Sequence, residues 1–328
     1  MRRAHVFVTV SILVRFGFTL GASAQPTVIT QGEIPFRFGT PINLGSIVNS
    51  SSHDSTPCIS GDGLSLYFAS NRPSGSGDFD LWVATRVTPD APWSNPVNLG
   101  PSVNSPNADY YPSVLYDGLS MYFCSTRRGG AGRNDIWVTT RASVSDPWGP
   151  AENLGPTINS AADEAAPTVS ADGLSLFFRS TRSGGFGQAD IWLATRPTVQ
   201  DTWGAPMNLG STVNGSAWDC GVNLAADGLS LLFHSNRAGG FGNFDLYLST
   251  RKTRNDEWSA PVNLGESINT PNNDFCPSLS ADSGWLYFCD DPFGGPVRPG
   301  GFGRADLWQV RVEPVEPSAV TEGWELYE

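Results

Sequence analysis

The sequence is almost without lysine and contains few histidines and cysteines. Of its 20 basic residues, 19 are Arg and one is Lys252, and only three His and five Cys occur among the 328 residues. Without residues 1–24, which hold three Arg and no acidic residue, 17 basic residues face 32 acidic ones, a net charge of −15. This charge argues against nucleic acid and anionic membranes as partners. No C-x-x-C pair occurs, and the odd number of Cys leaves at least one thiol without a partner in the chain.

Long apolar runs are absent apart from one near the amino terminus. That run extends from Ala4 to Leu20, is interrupted by Arg15, and precedes an Ala-Ser-Ala triplet at 22–24. Two Arg stand before it, and the whole layout is typical of a secretory signal with an A-x-A cleavage site. We therefore predict that residues 1–24 are removed and that the chain is periplasmic or extracellular, with no membrane span.

Linear catalytic motifs are also missing. The sequence contains no HExxH, GxSxG or P-loop motif, and no GxGxxG motif between a strand and a helix. The absence of these motifs argues against an enzyme. It does not exclude one, because a glycosidase or lyase that uses scattered carboxylates would leave no linear motif.

A repeat of 55 residues occupies most of the chain. Its Asn-Leu-Gly triplet ends at Gly45, Gly100, Gly155, Gly210 and Gly265, and its turn carboxylate stands at Asp62, Asp117, Asp172, Asp227 and Asp282. Each copy has four short runs of strand composition, which in the third copy cover 167–170, 174–180, 190–196 and 203–209. Four strands per repeat is the content of a propeller blade, so the sequence predicts an all-β, five-bladed β-propeller with four-stranded antiparallel blades.

The two ends of the chain predict how the ring closes. The fifth copy has three strands but no fourth strand after Arg311, whereas residues 38–45 match the fourth-strand segment 148–155. We expect the amino-terminal strand to complete blade five, which closes the ring and protects the sheet edges. The predicted organisation is a signal at 1–24, a linker at 25–35, the propeller at 36–313 and a flexible tail at 314–328.

The repeated sequence also resembles a known family. The pattern S-x-D-G-x-S-L-Y-F-x-S-[NT]-R-x-G-G-x-G-x-x-D-[IL]-W is similar to the WD40-like PD40 propeller repeats of TolB-like and cell-envelope proteins. The resemblance covers nearly the whole chain after residue 24, and it differs in the residue before the turn Asp, which in the family is Pro and here is Ala, Gly or Tyr. It implies the propeller fold. Its members include scaffolds, binding modules and a few enzymes, so it implies no single activity.

Two sets of charged residues recur in the loops that open on one face of the predicted ring, around the mouth of its channel. Folding the hairpin about the turn Asp places the first set opposite the second, so we interpret them mainly as structural Arg–carboxylate pairs. The alternative is a polar ring that binds a ligand around the mouth. The carboxylates are Asp54, Asp109, Glu164, Asp219 and Asp274, and the arginines of blades one to four are Arg72, Arg127, Arg182 and Arg237.

Blade five departs from the pattern. Pro292 stands where the other blades have Arg, Asp290 and Asp291 precede it, and six residues are inserted at 296–301. Asp274 therefore needs another partner, which could be a cation, a ligand amine or Arg298 of the insertion. Three carboxylates together would suit a hard cation such as Ca²⁺ or acid–base chemistry, and the alternative is a solvated acidic loop. Ca²⁺ is the one cofactor that the sequence suggests.

Three further deviations in single blades concern aromatic, imidazole and thiol groups. Trp218 stands where the other blades have smaller or polar residues and offers a stacking face for a ligand, and His234 is either a ligand contact or a residue packed between blades. Cys276 lies nearly opposite Cys289 in the predicted hairpin, within the range of a disulfide, and a register change of one residue separates them.

These observations favour an exported, monomeric propeller that binds a protein or a glycan through the channel-mouth face without catalysis. The alternative is a carbohydrate-active enzyme, a glycosidase or a polysaccharide lyase, that uses the carboxylates of blade five.

Overall fold

The first hairpin of each repeat closes on a tight turn that the sequence specifies. In the first copy, Ser60 Oγ donates to Asp62 Oδ1 at 2.6 Å, and Leu64 N–H donates to the same oxygen at 2.9 Å. Gly63 has a φ of 70°, in the left-handed region that favours glycine. The turn thereby fixes the register of the first two strands, in which Cys58 lies opposite Tyr67.

The computed structural model describes residues 34–291 and 298–315, and within these ranges the chain is almost entirely strand and turn. The elements in chain order are β1 (Phe36–Phe38), β2 (Ile42–Asn43), α1 (Gly45–Val48), β3 (Asp54–Ile59), β4 (Ser65–Ser70), β5 (Asp80–Thr85), β6 (Val97–Asn98), β7 (Asp109–Val114), β8 (Ser120–Ser125), β9 (Asp135–Thr140), β10 (Glu152–Asn153), β11 (Glu164–Val169), β12 (Ser175–Ser180), β13 (Asp190–Thr195), β14 (Met207–Asn208), β15 (Asp219–Leu224), β16 (Ser230–Ser235), β17 (Asp245–Thr250), β18 (Val262–Asn263), β19 (Asn273–Leu279), β20 (Trp285–Asp291) and β21 (Asp306–Pro314).

These strands form five antiparallel sheets, and the sheets form a ring. Blades one to four consist of β3–β6, β7–β10, β11–β14 and β15–β18, and blade five consists of β19, β20, β21 and the amino-terminal strands. Each inner strand contacts the inner strand of the next blade, and β19 of blade five contacts β3 of blade one. The predicted five-bladed β-propeller is confirmed.

The ring is closed by β2, the amino-terminal strand that the sequence predicted, and by one additional strand, β1. In β2, Ile42 lies opposite Gln309 and Asn43 opposite Trp308, the same relation that β6 has to β5 in blade one. In addition, β1 pairs with the end of β21, with Phe36 opposite Pro314. This extra pairing lies at the predicted limits of the propeller. The predicted signal, most of the linker and nearly all of the tail lie outside the described residues.

Hydrophobic packing holds neighbouring blades together, and the described residues form one cluster at each of the five junctions. At the junction of blades five and one, Phe68 and Trp82 pack with Tyr287 and Leu307. The glycine loops between the second and third strands also sit close to the next blade, since a Cβ at Gly77 would overlap the carbonyl oxygen of Asn107. Blade order and spacing are therefore fixed by packing on both sides of each sheet.

The repeated Asn of each loop braces that loop against the third strand of the blade. Asn104 Nδ2 donates to Leu81 O at 3.0 Å and to Asn98 Oδ1 at 2.9 Å, while Asn104 Oδ1 accepts from Leu81 N–H at 2.8 Å. The same contacts recur at Asn49, Asn159, Asn214 and Asn269. No helix in the described ranges has the length and apolar character needed to span a bilayer.

Candidate binding site at the channel mouth

The repeated inner-strand carboxylates are fully buried, and each forms an ion pair with an arginine. In blade one, Arg72 Nη2 donates to Asp54 Oδ1 at 2.6 Å and to Val48 O at 2.7 Å, while its guanidinium stacks on Phe68 and Trp82. The corresponding N–O distances are 2.6 Å for Arg127–Asp109, 3.1 Å for Arg182–Glu164, 2.5 Å for Arg237–Asp219 and 2.6 Å for Arg298–Asp274. Each of these five carboxylates is thus paired with an arginine of its own blade.

In blade five, Arg298 of the inserted loop supplies the missing cation. Its Nη2 donates to Asp274 Oδ1 at 2.6 Å and to Ile268 O at 2.7 Å, and its guanidinium lies 5.1 Å from the rings of both Phe288 and Trp308. These contacts reproduce those of Arg72, although Arg298 stands six positions further along the blade than the repeat requires. Burial raises the pKa of Asp274, and the Arg298 charge partly offsets that effect.

The other two acids of the predicted blade-five site have partners of their own. Asp290 Oδ1 accepts from Trp308 Nε1 at 2.9 Å, and burial raises the pKa of Asp290 to about 6. Asp291 Oδ2 lies 3.2 Å from His53 Nε2. Within the described residues, no group of three acidic, His or Cys side chains is placed to hold a metal ion. The Ca²⁺ site therefore stays a prediction of the sequence, and the contacts of Asp274 favour the alternative in which Arg298 is its partner.

A bulge in each inner strand narrows the channel. The residue at the bulge has a positive φ in all five blades, namely Thr56, Tyr111, Ala166, Gly221 and Cys276. Non-glycine residues at such angles store strain, which the repeated structure around them must hold. Together with the residues that follow them, they line a cavity of about 40 Å³. The channel at this level accommodates about one water molecule, so a larger ligand has to bind at an end of the channel.

Above this constriction the residues differ from blade to blade. We call this surface the mouth and define it by His53, Tyr110, Arg179, Trp218 and Phe275. They all lie where the inner strands begin and the second strands end. Each is half-buried. The mouth thus presents four aromatic or imidazole rings and one cation, whereas the repeated positions beside it are engaged within the blades.

Trp218 belongs to a polar region between blades three and four. Its Nε1 donates to Gln188 Oε1 at 2.6 Å, and its backbone N–H donates to Asn236 Oδ1 at 2.8 Å. Gln188 and Asn236 also line an adjacent open cleft of about 370 Å³, together with Ser216. The other side of this region is cationic, because Arg179 Cζ lies 5.6 Å from the centre of the Trp218 ring. An aromatic face, amide groups and a guanidinium therefore converge at one place.

His234 lies below the mouth, with 3% of its surface exposed. Its Nδ1 lies 3.2 Å from Cys276 N, and its ring makes edge contacts with Phe244 and Phe275. The structure thus places His234 between blades four and five, as in the packing alternative. The thiols of Cys276 and Cys289 are both free, and Cys289 pairs in the ladder with Phe275.

Sequence reasoning did not single out Arg179 or Tyr110. The signal for Arg179 was present, because the other blades carry Ala69, Cys124, His234 and Cys289 at this position. A charged residue that occurs in one blade, at a position that is apolar or aromatic elsewhere, is a better guide to the mouth than the charges that repeat. Tyr110 had no comparable signal, since aromatic residues occur throughout the repeat.

Comparisons with known proteins give the fold and leave the activity open. No family model and no curated protein sequence matches the chain. Its structure is similar to the catalytic domain of a family 62 α-L-arabinofuranosidase from Coprinopsis cinerea, with a TM-score of 0.55 and 13% identity over 85% of this chain and 97% of that one. It is likewise similar to an α-L-arabinofuranosidase from Podospora anserina solved with cellotriose, with a TM-score of 0.53 and 13% identity over 85% of this chain and 98% of that one.

TolB from Acinetobacter baumannii also matches, with a TM-score of 0.48 and 14% identity over 83% of this chain. The chain spans 56% of the length of that TolB protein. The neighbours therefore include both TolB-like propellers and glycosidases, and identities this low show the propeller fold alone.

Proposed function

We propose that the protein is an exported propeller of the PD40 type that binds a glycan at the mouth, as a monomer and without catalysis. The observation that carries the proposal is the division between repeated and unrepeated residues. The repeated charges are engaged in buried pairs inside the blades, whereas the unrepeated Trp218 stands beside an open cleft lined with amide and hydroxyl groups. Aromatic faces with neighbouring hydrogen-bonding groups are suited to sugar rings, which have apolar faces and polar edges.

The contacts of blade five support binding over catalysis. Most glycosidases use two carboxyl groups that flank the scissile bond and therefore face the substrate. Asp274 and Asp290, two of the three acids that the enzyme alternative offers as candidates, have 0% and 2% of their surface exposed and are bound by Arg298 and Trp308. A carboxyl group in this position would need the blade to open before it reached a glycosidic oxygen.

A glycan array followed by a hydrolysis screen tests the proposal. The labelled chain from residue 25 onwards is applied to the array with and without EDTA, and every glycan that binds is incubated with the protein and examined for shortened products. We expect binding without products. Trp218→Ala should weaken binding by roughly tenfold, the effect of losing an aromatic contact at the centre of an interface. The control is Trp93→Ala, because Trp93 is also half-buried but lies on the outer strand segment of blade one.

Two results would overturn the proposal. Product formation that Asp290→Asn abolishes would establish the enzyme alternative, and equal loss of binding in the Trp93 and Trp218 variants would remove the mouth as the binding surface.

A further inference from the structure

Arg179 is a cation of the mouth that forms no ion pair among the residues that the structure describes. In the described ranges, no carboxylate lies within 4.0 Å of its guanidinium, whereas Arg72, Arg127, Arg182, Arg237 and Arg298 each have one. Its Nε is buried and makes no hydrogen bond. The residue as a whole is half-buried, so part of it is exposed at the mouth. A buried polar nitrogen without a partner costs stability, and an incoming acceptor would recover that cost.

The position of Arg179 argues against a structural role for this residue. It lies on β12 opposite Ala165, directly beneath the ring of Trp218 in the next blade. Three of the four equivalent residues, Ala69, Cys124 and Cys289, are uncharged and the fourth is His234, so the fold does not need an arginine there. Two acids at the start of the inner strand of blade three are engaged elsewhere: Glu164 with Arg182, and Asp163 Oδ1 with the backbone N–H of Asn134 at 3.3 Å.

From these contacts we infer that Arg179 binds the carboxylate of an acidic sugar, a uronic acid, within the glycan that the proposed function places at the mouth. A guanidinium and a carboxylate match in geometry and can form two parallel hydrogen bonds. The pyranose ring of the same residue would lie against Trp218, and neighbouring sugars would occupy the cleft beside Gln188 and Asn236. This inference rests on the proposed function and adds the chemical class of its ligand.

The surroundings favour an acidic sugar over an acidic peptide. The cleft beside Trp218 is lined by Ser216, Asn236 and Gln188, which supply hydroxyl and amide groups, by small Gly and Ala residues, and by Arg237, which is paired with Asp219. These groups match the hydroxyls of a sugar, and the cleft contains no large apolar side chain that would receive a hydrophobic residue of a peptide. The net charge of −15 opposes anions in general, so recognition of an anion here depends on a local cation.

Calorimetric titration of the full chain from residue 25 with defined trisaccharides tests the inference. The probes are trigalacturonate, triglucuronate and trimannuronate, the fully methyl-esterified form of each, and an acidic tripeptide. We expect at least one acidic trisaccharide to bind at least about tenfold more tightly than its ester, since a hydrogen bond to a charged group contributes about that much. The ester is the matched control because it keeps the ring and removes only the charge.

Two variants locate the charge on the protein. Arg179→Met keeps a long side chain without the guanidinium, and it should reduce affinity for the acidic trisaccharide by at least about tenfold while leaving affinity for the ester unchanged. Arg128→Met, which removes an exposed arginine from the glycine loop of blade two, should change neither. Arg179→Met should also melt at the same temperature as the original protein or higher, because it removes an unpaired cation, whereas loss of a structural arginine would lower the melting temperature.

Equal binding of acid and ester, retention of acid binding by Arg179→Met, or binding of the acidic peptide alone would overturn the inference. Failure here can be told apart from failure of the proposed function. If neutral glycans bind in a way that depends on Trp218, only the assignment of Arg179 is wrong. If no glycan on the array binds at all, both are wrong.

Discussion

Replacing Arg298 by alanine should destabilise the protein as strongly as replacing Arg127, although only Arg127 stands at a repeat position. Arg298 Nη2 donates to Asp274 Oδ1 at 2.6 Å and to Ile268 O at 2.7 Å, and the two side chains have 9% and 0% of their surface exposed. Removal of one partner from a buried pair leaves an uncompensated charge, which costs about 3–5 kcal/mol. For a chain of this size we expect the melting temperature to fall by roughly 6–15 °C.

The assay is thermal and urea unfolding of Arg298→Ala, Arg127→Ala, Asp274→Asn and the Arg298→Ala/Asp274→Asn double variant. The double variant should be more stable than the sum of the single losses predicts, because the second substitution removes the charge that the first one left unpaired. An Arg298→Ala variant that melts within 1 °C or so of the original protein would refute the reasoning. Asp274 would then have another partner, and Ca²⁺ would become a candidate for it.

The remaining predictions concern closure, pH and thiols. Deletion of residues 25–45 removes β1 and β2, exposes the edge of β21, and should cause aggregation or a large fall in melting temperature; unchanged melting would contradict the observed ring closure. Burial raises the pKa of Asp290 to about 6. The protonated carboxyl group therefore contributes to the stability of the folded state, and this contribution is fully present below about pH 4 and is lost as the pH rises through 6. Asp290→Asn should therefore raise the free energy of unfolding at pH 7 by up to about 3 kcal/mol and leave it nearly unchanged at pH 4, and a constant difference across this range would count against the shifted pKa. Alkylation of the unreduced, denatured protein should add five adducts by intact mass, and three adducts would reveal a disulfide.

The fold was predictable because the information for it is repeated. Asp62 and Gly63 specify the first hairpin turn, and the same pair recurs in the next three copies, with Ser283 in place of the glycine in the fifth. The interpretation of one turn and its strands therefore applied to all five blades. Closure was predictable for a similar reason, since residues 38–45 match 148–155. The pairing of β1 was not, because Phe36–Phe38 has no counterpart in the repeat with which it could be compared.

The site was less predictable because its residues come from different blades and do not repeat. Asp54 and Arg72 belong to the same copy of the repeat, so their proximity follows from the geometry of one hairpin and can be predicted from the sequence. The approach of Arg179 to Trp218 crosses from blade three to blade four, and the distance depends on how the sheets pack. The pairing of Arg298 with Asp274 depends on the path of an inserted loop, so the sequence left it as one of three alternatives.

The central claim is that the repeated residues hold the fold while the unrepeated residues of the mouth bind the ligand. A crystal structure of the protein with the tightest-binding trisaccharide tests it most directly. We predict a sugar ring against Trp218 with its carboxylate within hydrogen-bonding distance of the Arg179 guanidinium, and the five buried Arg–carboxylate pairs unchanged. A sugar bound instead at Asp290 and Asp291, or on the face of the ring opposite the mouth, would contradict the account.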